Sequence, residues 1–174
     1  MRERWIGIGA VVALGLFVLF MLVIGSLGGV RPELERHEVA DVLRGGNPAD
    51  RVGTREIRIV GWYAELDGDC AGDTGGTDAS VAWLQAQCPL RVLVAEQTED
   101  DVTQAALEAS GVRLAAPNGR PFPSRAEPGG PNTRGELLVF VGHFSDAAAS
   151  GCVAERLERC QNTFVVTDYD GLVR

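Results

Sequence analysis

The stretch from Trp5 to Ile24, WIGIGAVVALGLFVLFMLVI, limits this chain more than any other, because no charged residue falls between Arg4 and Arg31. A helix rising ~1.5 Å per residue needs about 20 apolar residues to cross a ~30 Å hydrocarbon core, and the run supplies them. Thirteen of its residues are Val, Ile, Leu or Phe, each favouring insertion by roughly 0.3–0.6 kcal/mol. A cleaved signal peptide is the rival reading, since Arg2 and Arg4 make a short basic start. Signal h-regions run about 7–15 residues and end in an A-x-A-like site, and Val23-Ile24-Gly25-Ser26-Leu27 is a poor one. The length therefore predicts an uncleaved single-pass anchor at residues 5–24, with the lipid bilayer as its partner. Basic residues flank the run on both sides, so positive-inside counting alone does not orient it.

The cysteines do. Cys70, Cys88, Cys152 and Cys160 all lie beyond the span, and an even count behind a membrane anchor predicts two disulfides in an oxidising compartment. The amino terminus then faces the cytoplasm and the rest of the chain is extracytoplasmic. Zinc would favour C-x₂₋₄-C pairs, whereas the gaps here are Cys70 to Cys88 and Cys152 to Cys160. The local pairing, Cys70–Cys88 with Cys152–Cys160, is the expected one. Residues eight apart on one continuous helix lie about 12 Å apart, too far to bridge. The second bond therefore requires Cys152 to stand outside the helix that carries Cys160, and the Ser150-Gly151 break allows this.

Charge narrows the partners. Removing residues 1–24 leaves 14 arginines against 23 acidic residues, a net charge of −9, and the chain has no lysine. A domain that acidic repels phosphate backbones, so nucleic acid is not an expected partner. Binding would require a hidden groove drawn from arginines such as Arg113, Arg120, Arg125 and Arg134.

Residues 25–38 read as a juxtamembrane linker that turns helical, with Pro32 in the first turn of PELERHEVADVL. His37 sits among charges there and reads as a solvated face residue. Residues 39–174 then form one domain. Arg55–Leu66 is the clearest strand, with Ile57, Ile59, Gly61 and Tyr63 on one face and Arg58, Val60, Trp62 and Ala64 on the other. Gly61 within it predicts a bulge or tight bend. Ser80–Gln87 reads as a short helix and Leu90–Glu96 as a strand. Thr98 is placed to cap a helix running through Ala109, and Val112–Ala115 reads as a short strand. Residues 117–135 are rich in Pro, Gly, Asn and Arg and read as a mobile loop. Glu136–Phe144 is a strand apolar on both faces, hence central. A short helix over Val153–Cys160 and a last strand over Thr163–Tyr169 complete the series.

Strands with a glycine-kinked first member and no βαβ rhythm predict a mainly β fold with short helices, closed into a small barrel. VADVLRGGNPADRVGTREIRIVGWYAEL resembles the opening of an OB-fold, with an apolar segment, a turn and a long glycine-Trp first strand. GHFSDAAASGCVAERLERCQNTFVVTDYDG is similar to the ends of membrane-tethered extracytoplasmic OB-like domains of bacteria. The resemblance covers roughly Val39–Asp170 and implies an OB-like barrel, but OB folds host many unrelated roles. One relative in plan is the haem chaperone of cytochrome c maturation, also an anchor followed by an extracytoplasmic OB domain. That family attaches haem near its carboxyl end, and the only late histidine here, His143, lies in a strand-like run.

Two further groups carry possible binding chemistry. Asp67, Asp69, Asp73 and Asp78 fall at positions 1, 3, 7 and 12 of a partial calcium loop, with Gly72 at position 6. Ala71 at position 5, an Asp at position 12 and a strand in place of the first helix depart from the consensus. A solvated acidic loop is the plain alternative. Trp62, Tyr63, Trp83 and His143 are candidate ligand contacts, although strand aromatics more often fill cores. The chain contains no nucleophile elbow, HExxH helix, Walker loop or dinucleotide fingerprint, which points away from an enzyme and from a resident cofactor other than calcium. The expected function is a binding or scaffolding module for a protein partner in the cell envelope. A haem-chaperone-like ligand or cofactor carrier and a calcium-loop module are the alternatives.

Overall fold

The computed structural model describes residues 33–66, 79–86, 90–98, 103–120, 122–125 and 137–170. The chain divides into two compact units, Met1–Leu34 and Glu35–Arg174, and the fold below belongs to the second. The predicted anchor, most of the linker, the aspartates of the acidic loop, and Cys70 and Cys88 lie outside the described residues. Among the described residues no helix is long and apolar enough to cross a membrane.

The first elements are strand β1 (Arg36–Glu38), helix α1 (Val39–Arg44) and helix α2 (Pro48–Val52). Strand β2 (Ile57–Leu66), helix α3 (Ala79–Ala86) and strand β3 (Leu90–Val94) follow. Helix α4 (Gln104–Ser110) leads straight into strand β4 (Gly111–Ala115), and strand β5 (Leu137–His143) comes next. Helix α5 (Leu157–Gln161) and strand β6 (Phe164–Asp170) end the series. The fold is thus mainly β with short helices. Among the described residues six strands form one mixed sheet in the order β1-β2-β3-β4-β6-β5, and β5 pairs in addition with β2. Pairing is antiparallel except at β1–β2 and β4–β6.

Strand β2 is the hub. Ile57–Trp62 pairs with β5 along one edge. On the other edge Arg58–Val60 pairs with β1, and Trp62–Leu66 pairs with β3. Gly61 stands where that second edge changes partner. A Cβ there would lie 2.6 Å from Val39 Cγ2 and 3.1 Å from the Val94 carbonyl oxygen, so absence of a side chain lets α1 reach the sheet. The register of β2 against β5 runs unbroken through Gly61, and the irregularity lies between β5 and β6, where Val141 pairs with Asp168 and Gly142 with Val166, leaving Thr167 as the extra residue of β6. At Gly142 the backbone makes room for the Val165 carbonyl and the Phe164 ring.

Alternation sorts the side chains into clusters. Ile57, Ile59 and Tyr63 of β2 join Leu93, Leu114, Leu138, Phe140 and Phe164 in the main core. Ala64, Leu90, Val92 and Val94 face the other way and pack with Leu107 of α4. A further cluster joins Trp83 and Leu84 of α3 to Ala149, Val165 and the Cys152–Cys160 disulfide. That bond spans a Cα–Cα distance of 6.7 Å, and Cys152 has an extended backbone ahead of α5, which is the placement the spacing requires.

Several elements differ from the sequence reading. The predicted helix from Pro32 gives way to β1: the Arg58 N–H donates to the Glu35 carbonyl at 2.9 Å, and Arg36–Glu38 is drawn into the sheet. His37 is half-buried there, its Nε2 3.4 Å from Glu35 Oε1, rather than solvated. The helix starts only at Val39. Thr103, not Thr98, caps α4, its Oγ1 accepting from the Ala106 N–H at 3.3 Å. Helix α2 follows Asn47, whose Oδ1 accepts from the Ala49 N–H at 2.9 Å. Its Arg51 guanidinium donates to the Val42 carbonyl and so covers the open end of α1. The described part of the 117–135 segment is tied down. Phe122 is buried among Tyr63, Phe140 and Tyr169 at centroid distances of 5.9–6.0 Å. Arg125 stacks 5.1 Å from the Tyr63 ring centroid.

Two outcomes are expected. Gly61→Ala destabilises the domain by about 1–3 kcal/mol, because buried Val39 has nowhere to retreat; urea denaturation measures it, and an unchanged midpoint would contradict the close approach. Replacing Cys152 and Cys160 together by Ala removes a closed loop of about 8 residues, worth roughly 2.5 kcal/mol by loop-entropy arithmetic. Denaturation under oxidising conditions reads that loss.

Candidate functional site

A cleft of about 360 Å³ lies between α4, β4, α5 and the turn joining α1 to α2. Its charged side is assembled from three elements. The Thr103 cap starts α4 in a register that places Gln104 one turn before Glu108, and Gln104 Nε2 donates to Glu108 Oε1 at 3.1 Å. With no loop between α4 and β4, Arg113 follows within five residues, and its Nη2 meets Glu108 Oε2 at 3.0 Å. Arg159 comes from α5, with its Nη2 3.8 Å from Glu108 Oε1. Two guanidiniums thus share one carboxylate. Leu43, Val112 and Phe144 supply apolar lining beside them.

All three charges are partly withdrawn from water, with side-chain exposures of 16% for Arg113, 27% for Glu108 and 29% for Arg159. Burial pushes Arg113 down to about 10, and the neighbouring Arg159 adds to that, while Glu108 opposes both. Burial pushes the Glu108 carboxyl up, but the Gln104 hydrogen bond and the two arginines outweigh it and hold the group below its ordinary value. Glu108 is thus held as a carboxylate between Arg113 and Arg159, and Glu158 is a second acidic residue of the cleft lining.

The four predicted ligand contacts are distributed differently. Tyr63 is 4% exposed in the main core, with its hydroxyl donating to Glu65 Oε2 at 2.8 Å. Burial first, then that hydrogen bond, pushes the hydroxyl well above its ordinary value, so it stays a donor. Trp62, its neighbour on the opposite face, is half-buried against the Leu107 cluster. Trp83 packs at the disulfide. The Nδ1 of His143 lies 3.0 Å from the Phe144 carbonyl oxygen, and its Nε2 lies 3.8 Å from Asp146 Oδ2. The structure thus spreads these residues over separate environments. Among the described residues no group of three or more His, Cys, Asp or Glu side chains could hold a metal ion, and the four aspartates of the calcium hypothesis lie outside those residues.

Of the four arginines named for a hidden groove, Arg113 pairs with Glu108, Arg125 covers Tyr63, Arg120 is exposed and Arg134 lies outside the described residues. Reading along the chain did not single out Glu108 or Arg159. The available signal was an arginine set between Val112 and Leu114, a charge inside an otherwise apolar strand. The chain matches no known protein family, no curated protein and no solved structure.

The folded value of Glu108 lies below its ordinary 4.5, so on acidification the unfolded chain takes up this proton first. Its contribution to stability is complete above the ordinary value and is lost as pH falls through the lower folded one. Glu108→Gln is expected to flatten the acid limb of stability as pH falls below the ordinary value of 4.5. Parallel acid limbs for the two proteins in urea titrations would contradict the shared ion pair.

Proposed function

We propose that this chain is a single-pass, membrane-anchored binding or scaffolding module whose extracytoplasmic domain is an OB-like barrel engaging a protein partner in the cell envelope. Three features support the parts of this reading. The pairing order β2-β3-β4-β6-β5 returns to β2, as closure of a small five-stranded Greek-key barrel requires. The Cys152–Cys160 disulfide fits an oxidising compartment. The apolar run at residues 5–24 has the length of a membrane span.

The position of Leu107 carries the choice of partner class. OB barrels bind oligonucleotides across the face of their second and third strands, here β3 and β4. Helix α4 lies against both of these strands, and Leu107 packs onto Val92 and Val94. Stacking of bases on that face would require α4 to leave. The net charge of −9 beyond the anchor opposes nucleic acid as well.

The test uses the full chain in its native membranes. Crosslinking followed by reciprocal purification is expected to recover one stoichiometric membrane partner. A carboxyl-terminal reporter is expected to be active only outside the cytoplasm. A soluble mature form beginning near Leu27 would remove the anchor. Sub-micromolar, salt-sensitive binding of single-stranded DNA would remove the partner class. A haem Soret band after reconstitution would favour the carrier instead.

A further inference from the structure

We infer that β1 is a docking edge for a second copy of this chain, the two strands pairing antiparallel about His37. Among the described residues every other strand has a neighbour on both sides, since the pairing order returns from β5 to β2. β1 pairs with β2 alone. An open edge presents backbone donors and acceptors to an incoming strand. In the parallel β1–β2 ladder Arg58 is in register with Arg36, and its N–H donates to the Glu35 carbonyl at 2.9 Å. That register turns the backbone groups of His37 toward β2 and those of Arg36 and Glu38 outward. Arg36 and Glu38 are exposed, and among the described residues neither side chain has a partner.

The side chains select the occupant. Charges commonly protect short edge strands, but Arg-His-Glu carries opposite signs on either side of its centre. An antiparallel copy centred on His37 sets Arg36 opposite Glu38 of the second copy, and Glu38 opposite its Arg36. Arg36 and Glu38 then form hydrogen-bonded pairs and His37 a non-hydrogen-bonded one, which matches the outward groups. The Glu38 N–H donates to the Arg36 carbonyl of the second copy. The Glu38 carbonyl accepts the first bond of α1 as its N-cap, and its remaining lone pair faces the incoming Arg36 N–H. A parallel copy in register would set like charges side by side, which is destabilising. Arg58 supplies independent support. It stands beside Arg36 in register, a like-charge neighbour, and its Nε is buried without a hydrogen-bond partner. Glu38 of the second copy continues the row from Arg58 and Arg36 and brings a carboxylate to the two guanidiniums. A strand of three residues buries little area, so the association is weak and is read on the full chain in its native membranes.

Cysteine scanning in those membranes tests the register. Across a non-hydrogen-bonded antiparallel pair the Cα atoms stand about 4.5 Å apart, within disulfide reach. His37→Cys is expected to yield a disulfide-linked dimer under mild oxidation, and Arg36→Cys and Glu38→Cys several-fold less. Energy transfer between two fluorescent carboxyl-terminal fusions of the full chain tests the charges without added cysteines. Arg36→Glu or Glu38→Arg sets like charges at both pairs and is expected to weaken dimerisation about tenfold. Arg36→Glu combined with Glu38→Arg in one chain restores the transfer, as does co-expression of the two single variants. Restoration cannot come from misfolding, so it keeps the test decisive if His37→Cys or a single reversal fails to fold. Absence of transfer between wild-type copies would overturn the second copy as occupant. Cross-linking that peaks at position 36 or 38, transfer unchanged by both single reversals, or a double variant no better than the singles would each do the same.

Discussion

Everything in this domain depends on β2 being able to change partners along one edge. A ten-residue strand paired on both sides has no free backbone to offer α1, yet Val39 must reach the core that Ile57 and Ile59 begin. Gly61 resolves the conflict. Its bare backbone accepts Val39 at the point where β1 ends and β3 begins. With that step in place, β5 can hold the other edge, and the pairing can pass through β3, β4, β6 and β5 back to β2. The cost of a glycine inside a strand, lost entropy and lost packing, is offset by the main core that its neighbours share.

The second constraint lies at the disulfide. Trp83 and Leu84 of α3, which follows β2, pack there with Ala149, Cys152 and Cys160, which precede β6. Polar bonds reinforce the contact: the Val153 N–H donates to Gln85 Oε1 at 3.2 Å, and Arg156 Nη1 donates to the Gln85 carbonyl at 2.9 Å. Two long connections therefore meet over Ala115 and Val165, where β4 and β6 run parallel. The sulfur pair belongs to the packing of this region, and it joins residues local in sequence while helping to hold together residues that are not.

Legibility in the sequence followed from period. β2 announced itself because Ile57, Ile59 and Tyr63 alternate with Arg58, Val60 and Trp62, and the structure puts the first set in the main core. β3, β5 and β6 were legible for a different reason, as short apolar runs bounded by turn residues. β1 was not, because Arg-His-Glu carries no apolar alternation; its strand state comes from register with Arg58–Val60. Phe122 was lost in a Pro/Gly-rich segment, although the neighbouring rings of Tyr63, Phe140 and Tyr169 hold it. The cleft was the least legible part. Arg159 reaches Glu108 from a helix that lies far along the chain, and no local pattern connects the two.

Helix α4 links the core to the cleft through two adjacent residues. Leu107 turns toward Val92 and Val94 and covers the outer face of the sheet. Glu108, the next residue, lies one helical step (about 100°) around the axis and meets Arg113 on the strand that the helix runs into. The absence of a loop between Ser110 and Gly111 couples the two contacts, since any rotation of the helix that exposes Leu107's partners also draws Glu108 away from Arg113. A helix of seven residues has little stability of its own, so the apolar contact must hold the helix in place and thereby aim the charge. The same element that closes the sheet's face to stacking ligands thus sets the electrostatics of the cleft beside it.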